Sequence, residues 1–219
     1  MAMILYAAEK GKFIEFADAV QANRGKKCNI YVNITNKCNC SCTFCLRNLK
    51  KMQEGHSLWL KQEPDIQAIR NAFAAINKDA VNEVVFCGFG EPTMRLETLL
   101  YSLRYVRSIW PEKKTRLNTN GLVSLYYKKD IAPLFKGLLD VVSISLNASN
   151  AKAYLELTRT PLGLQAYGAM LDFAKECKLY VPEVVMTIVD SIGAEEIQAC
   201  KKVCSEKNLK LRIRPYEAN

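Results

Sequence analysis

A chain of 219 residues with 49% hydrophobic and 24% charged residues has the make-up of a single globular domain. At that length it can bury roughly 70% of the surface that the unfolded chain exposes. No apolar run reaches the ~20 residues of a membrane span, and the opening MAMILYAAEK is too short and too weakly flanked for a signal peptide. The nine cysteines are therefore read as thiols of a reducing cytoplasm rather than as a disulfide framework. The net charge of +9 favours a polyanion or an acidic partner, set against the plainer reading of a solvated basic surface.

Residues 1–27 read as a preface to a core of residues 28–219, with apolar Phe13, Phe16, Ala17 and Val20 predicting an amphipathic helix over Lys12–Asn23. NIYVNIT, residues 29–35, alternates and is rich in β-branched residues, which predicts a strand running into a cysteine-rich loop. A helix is expected to start at Leu46 and to break near Gly55–His56–Ser57. From there β and α patterns alternate. Pro64–Asp65 opens a helix, Glu83–Cys87 is a strand, and Leu96 to Val106 is a helix stopped by Pro111. Thr115–Thr119 is a strand, Tyr127–Leu138 a helix, and Val141–Leu146 a strand. Ala151–Cys177 is helical with a break near Pro161–Gly163, then come strand Glu183–Val189, helix Ala194–Lys207 and strand Leu209–Arg214. Six strands alternating with helices imply a parallel sheet with right-handed crossovers. Eight such units and about 250 residues make a complete barrel, so this pattern predicts an open, partial (β/α)6 barrel.

The stretch CNCSCTFC places four cysteines within Cys38–Cys45. Cys38, Cys42 and Cys45 have the spacing of a short loop that wraps one corner of a cubic iron–sulfur cluster, with Phe44 before the last. Three ligands for four irons leave one iron open to a chelating substrate. The competing reading is zinc, for which Cys42 and Cys45 form one knuckle and His56 offers a fourth ligand. Cys40 breaks the spacing and is taken as a spectator.

The strand ends carry the other candidates. FCGFGEPT, residues 86–93, combines Gly88 and Gly90, which permit close backbone approach, with the carboxylate of Glu91, which suits a cationic amine. NTNG, residues 118–121, is turn chemistry. In VVSISLNAS the period of two puts Ser143, Ser145 and Asn147 on one face. Arg214 and Tyr216 lie near the rim of the last strand, in reach of adenine or substrate, or are simply structural. Cys87 is a candidate hydrogen-atom donor, against the commoner role of a small buried residue. Cys177, Cys200 and Cys204 read as core.

CxxxCx(aromatic)C after a first strand resembles the signature of the radical S-adenosylmethionine (SAM) superfamily. YVNITNKCNCSCTFCLR, HSLWL and VVFCGFGEPT resemble its TatD-associated group. The resemblance implies a radical SAM core, a [4Fe–4S] cluster on Cys38, Cys42 and Cys45, and oxygen-sensitive redox chemistry that cleaves SAM to methionine and a 5′-deoxyadenosyl radical. It implies cofactor contacts from Phe44, Gly88, Gly90, Glu91, Ser145 and Asn147, with Arg159 standing in for the carboxylate-binding arginine that strand VVMTIV lacks. An external flavodoxin- or ferredoxin-type reductant is expected, and the substrate is a macromolecule, a polyanion or a small molecule. From a different class, the chain is a non-catalytic zinc or iron–sulfur module that docks to a nucleic-acid enzyme.

Overall fold

The computed structural model describes residues 3–9, 12–49 and 57–216. In chain order these form β1 (Leu5–Glu9), β2 (Lys12–Glu15), α1 (Phe16–Ala22), β3 (Cys28–Val32), α2 (Leu46–Leu49) and α3 (Ile66–Ala74). There follow β4 (Val81–Phe86), α4 (Leu96–Ile109), β5 (Lys114–Thr119), α5 (Val123–Tyr127) and β6 (Val141–Ser145). The last elements are α6 (Ala151–Thr158), α7 (Gln165–Cys177), β7 (Glu183–Val189), α8 (Ala194–Glu206) and β8 (Lys210–Arg214). The chain divides into two compact units, one running to Cys38 and resuming to Leu117, the other made of Asn39–Leu49 and the chain from Asn118 onward.

In the first unit, β3, β4 and β5 are parallel, and β1 lies antiparallel to β3 with β2 outside it. The preface is thus a hairpin plus a seven-residue helix, and not one helix over Lys12–Asn23. Phe13 and Ile14 take strand positions opposite Ala8 and Ala7, where cross-strand pairing outweighs a weak helical period. Asp65 caps α3 by accepting from the Ala68 N–H at 2.7 Å, as the Pro-Asp signal predicts. Fully buried Phe73 packs edge-on against Trp110 with ring centroids 5.2 Å apart. Truncation of such a ring costs about 3–5 kcal/mol.

In the second unit β6, β7 and β8 are parallel, α7 packs on β6 and β7, and α8 packs on β8. The helical side of this sheet is marked by Ile144, which closes around Gly121 together with Met170 and Phe173. Ile144, Met186 and Leu211 share one row of the register. Ser145, Thr187 and Arg212 form the next row and point to the opposite side. The expected helix over Tyr127–Leu138 is instead the short α5, ended by left-handed Lys128 (φ 53°), followed by a single 3₁₀ turn at Ala132–Phe135. Pro133 starts that turn, since proline suits the first turn of a helix and not its interior. The break near Pro161–Gly163 separates α6 from α7 as expected.

Candidate active site

The root of the cysteine loop is held in the first unit. Residues 33–37 leave β3 as a non-strand segment, and each is tied down by a polar contact. Asn33 donates to the Leu58 carbonyl at 2.6 Å. Asn36 exchanges two bonds with Leu60, its amide donating to the Leu60 carbonyl at 2.7 Å and its carbonyl oxygen accepting from the Leu60 N–H at 3.0 Å. The HSLWL segment therefore acts as a clip on the root, although its His56 lies outside the described residues. Glu63 accepts from the Thr35 hydroxyl and pairs with Arg95 at 3.6 Å, and Arg95 also donates to the carbonyls of Ile34 and Pro64.

The GFGEP turn locks the same root from the other side. The Gly90 N–H donates to Thr35 O at 3.1 Å and the Glu91 N–H to Lys37 O at 2.8 Å, one residue before Cys38. A Cβ on Gly90 would collide with Thr35 O and stand 2.6 Å from Lys37 O, so the close approach read from the sequence is an approach to protein carbonyls. Gly88 is similarly crowded by the Asn33 side chain. Glu91 is only 4% exposed, and its Oε1 accepts from both the Thr93 N–H (3.1 Å) and the Thr93 hydroxyl (2.7 Å). Cys87 is half-buried with its N–H on Val32 O.

The body of the loop is held in the second unit. The Ser41 N–H donates to Thr158 O and the Thr43 N–H to Leu157 O, each at 2.9 Å, and the Thr160 hydroxyl donates to Asn39 O at 3.0 Å. Arg159 stands between two of these contacts, exposed and left-handed (φ 47°) at the C-terminus of α6. The NTNG turn contributes Asn120, whose amide donates to Asn39 Oδ1 at 2.6 Å and to Cys40 Sγ at 3.6 Å. Cys40 is buried, whereas Cys42 and Cys45 are half-buried on a tight turn closed by the Cys45 N–H to Cys42 O bond of 3.2 Å.

Phe44 from that turn lines a cavity of about 230 Å³ together with Asn147, Leu157, Val189, Ile192 and Glu196. Asn147 directly follows Leu146, whose N–H completes the β6–β7 pairing on Thr187 O, and its left-handed backbone (φ 62°) turns it off the strand direction. Its side chain is 8% exposed and makes no hydrogen bond to the described residues. Ser145 is half-buried one row below, and Arg214 is register-paired with Val189 of the cavity wall. Arg159 does not line the cavity.

Two sets of these contacts, one in each unit, are not legible in local patterns. Glu196, in the first turn of α8, accepts from the Ser149 N–H (2.6 Å) and hydroxyl (3.1 Å), while Tyr167 donates to Ser149 O at 2.7 Å. The partners lie 47 and 18 residues apart, beyond any helical or strand period. Glu63 was likewise hidden, its only signal being its place just before Pro64. Burial, with smaller contributions from Cys200, Cys204 and Glu196, pushes the Tyr167 hydroxyl up to about 12.

Among the described residues no three cysteine, histidine or carboxylate side chains are already drawn together to hold a metal. The donor set nonetheless suits an iron–sulfur cluster in kind. It consists of three soft thiols on one loop whose backbone is held by hydrogen bonds.

Residues 32–201 match the model of the Radical SAM superfamily. The chain is 30% identical over 191 residues to the GTP 3′,8-cyclase of Corynebacterium glutamicum strain R, covering 84% of this chain and 48% of that protein. It is 28% identical over 194 residues to a probable GTP 3′,8-cyclase of Methanosarcina acetivorans, covering 87% and 52%. The chain thus spans about half the length of these curated relatives. Among solved structures it resembles native anSMEcpe with bound AdoMet, with a TM-score of 0.59, 18% identity, and 84% of this chain covered against 50% of that one. It also resembles a radical SAM methyltransferase from Sphaerobacter thermophilus, with a TM-score of 0.52, 15% identity, and 85% against 66% covered. The fold is the mostly parallel α/β fold of these neighbours, as the alternating β and α patterns predict, with the β1–β2 hairpin added to the six expected strands.

Proposed function

The chain belongs to the radical SAM superfamily, whose enzymes use a [4Fe–4S] cluster, SAM and an external electron donor, and from that membership we propose that it cleaves SAM reductively to start a radical reaction. Cys38, Cys42 and Cys45 would hold the cluster. Bound there and reduced by one electron from the external donor, a cluster would supply the electron for cleavage of the C5′–S bond of SAM to methionine and a 5′-deoxyadenosyl radical, which would take a hydrogen atom from the substrate.

The residues divide the remaining work. Phe44 and the apolar wall of Leu157, Val189 and Ile192 exclude water from the cavity and offer a face to adenine. Asn147 and Ser145 hydrogen-bond the ribose. Glu91, with Gly88 and Gly90 shaping its turn, takes the methionyl ammonium, and Arg159 the carboxylate. Cys87 is the candidate hydrogen donor. The observation that carries this reading is the cysteine loop itself. Its backbone is pinned on both sides of Cys38, and its aromatic residue opens onto a cavity that also holds a buried asparagine with no hydrogen bond to the described residues.

A flavodoxin- or ferredoxin-type donor in the cytoplasm would supply the electron. The cyclase relatives make GTP the first substrate to try, with other polyanions and macromolecules after it. The resemblance to the TatD-associated group stands as a proposal on the same motif segments. Protein loaded with iron and sulfide without air, then reduced with dithionite, should form 5′-deoxyadenosine from SAM. A full iron load without that product favours a cluster-binding module, and zinc alone at the site overturns the reading.

A further inference from the structure

The edge strand β8 sorts its side chains by charge. Leu211 and Ile213 share register rows with Met186 and Ile188, on the helical side of the sheet. Lys210, Arg212 and Arg214 alternate with them and point to the other side, in rows with Val185, Thr187 and Val189. Continued into β6, the Arg212 row ends at Ser145, and the Arg214 row begins at a wall residue of the cavity. With strands about 4.8 Å apart, the Arg212 backbone lies about 10 Å from Ser145, within the span of an arginine side chain and a phosphate.

Two acidic groups near this face already have partners. Glu183 pairs with Lys210 at 3.3 Å, and Asp190 accepts from the Tyr216 N–H at 2.8 Å. The side chains of Arg212 and Arg214 are exposed, and among the described residues neither makes an ion pair or a hydrogen bond. Two guanidinium groups one pleat repeat apart, about 7 Å along the strand, repel each other, and among the described residues no carboxylate lies within ion-pair distance of either. Ser143, Ser145 and Thr187 add hydroxyls on the same side.

We propose that Arg212 and Arg214 bind the phosphate groups of a small polyphosphate-bearing substrate, and so hold that substrate beside the cavity that receives SAM. This rests on the reading of that cavity given above. A single carboxylate would neutralise one of the two forks, whereas a polyphosphate can engage both bidentately. The position favours a small molecule over a polynucleotide, because the pair adjoins the cavity where hydrogen transfer would occur and is not spread over the outer surface.

The test is calorimetric titration of cluster-loaded, SAM-bound protein with inorganic triphosphate. Wild type should bind saturably. Arg212→Gln/Arg214→Gln should weaken binding by at least about tenfold, and Arg212→Lys/Arg214→Lys by less. Lys201→Gln/Lys202→Gln, which removes the same charge from α8, should bind as wild type does. Absence of saturable binding, or equal loss in the lysine control, overturns the assignment. So does binding of a single-stranded RNA through these arginines without binding of triphosphate. A measurement on wild type alone guards against a misfolded variant: triphosphate should slow phenylglyoxal modification of Arg212 and Arg214, and unprotected arginines contradict the proposal. Formation of 5′-deoxyadenosine in the same preparation is scored separately. Triphosphate binding without it sinks the SAM reading, and product without triphosphate binding sinks this one.

Discussion

Glu91 has two tasks for one carboxylate. Oε1 caps its own turn through Thr93, and the proposed role asks the group to meet an ammonium ion as well. Glu91→Gln keeps an acceptor for the cap and removes the charge. The fold should survive while SAM affinity, read by calorimetry, falls about tenfold or more, the worth of one charge-assisted hydrogen bond. Unchanged affinity would leave Glu91 as a cap only. Gly90→Ala tests the crowding beside it. The added methyl meets backbone carbonyls that cannot rotate away, so thermal unfolding should show a loss of about 1–3 kcal/mol. A loss within experimental scatter would mean that the Gly90–Thr35 approach is not tight. The glycine signal was legible in GFGEP because only a residue without Cβ fits such an approach. What approaches was not legible, since Thr35 lies 55 residues earlier in the chain.

The cysteine loop behaves as an element although it is neither helix nor strand. Its motif spacing was readable, and so was the turn chemistry of NTNG. Its attachment to the end of α6 and to residues 57–60 was not, because those contacts join segments that no local period relates. Cys38→Ala, Cys42→Ala and Cys45→Ala should each lose the bound iron and the brown absorbance, and Cys40→Ala should keep them. Loss of iron in Cys40→Ala would move Cys40 into the ligand set. The helices were legible where an apolar period met a cap, as at Asp65. They were misread at Lys12–Asn23 and Tyr127–Leu138, where strand pairing and Pro133 decided the outcome.

Helices α7 and α8 carry three thiols that the proposed chemistry leaves aside. Burial first, then nearby acids, raises Cys177 above the thiol range, and burial with Glu196 and Cys204 pushes Cys200 up to about 12. Burial alone pushes Cys204 up to about 11. Iodoacetamide at pH 8 should therefore spare all three in the native protein and label them after denaturation. The folded chain holds these protons more tightly than the unfolded one. Their contribution to stability is thus complete below the ordinary thiol value of 9.0 and declines as pH rises toward about 12. Native-state labelling at pH 8 would contradict this placement.

At the scale of the molecule, the order of strands and helices was legible because alternating β and α patterns admit few topologies. The antiparallel hairpin in front of β3 was not, since its short strands carry mixed periods. No helix among the described residues is long and apolar enough to cross a membrane. Whatever the substrate, the proposed chemistry requires that SAM meet one iron of a three-cysteine cluster. Electron paramagnetic resonance of the anaerobically loaded, dithionite-reduced protein, recorded with and without SAM, tests that directly. The expected result is a [4Fe–4S]⁺ signal whose g-values shift when SAM is added. Identical spectra, or a cluster with a fourth protein ligand, would contradict it.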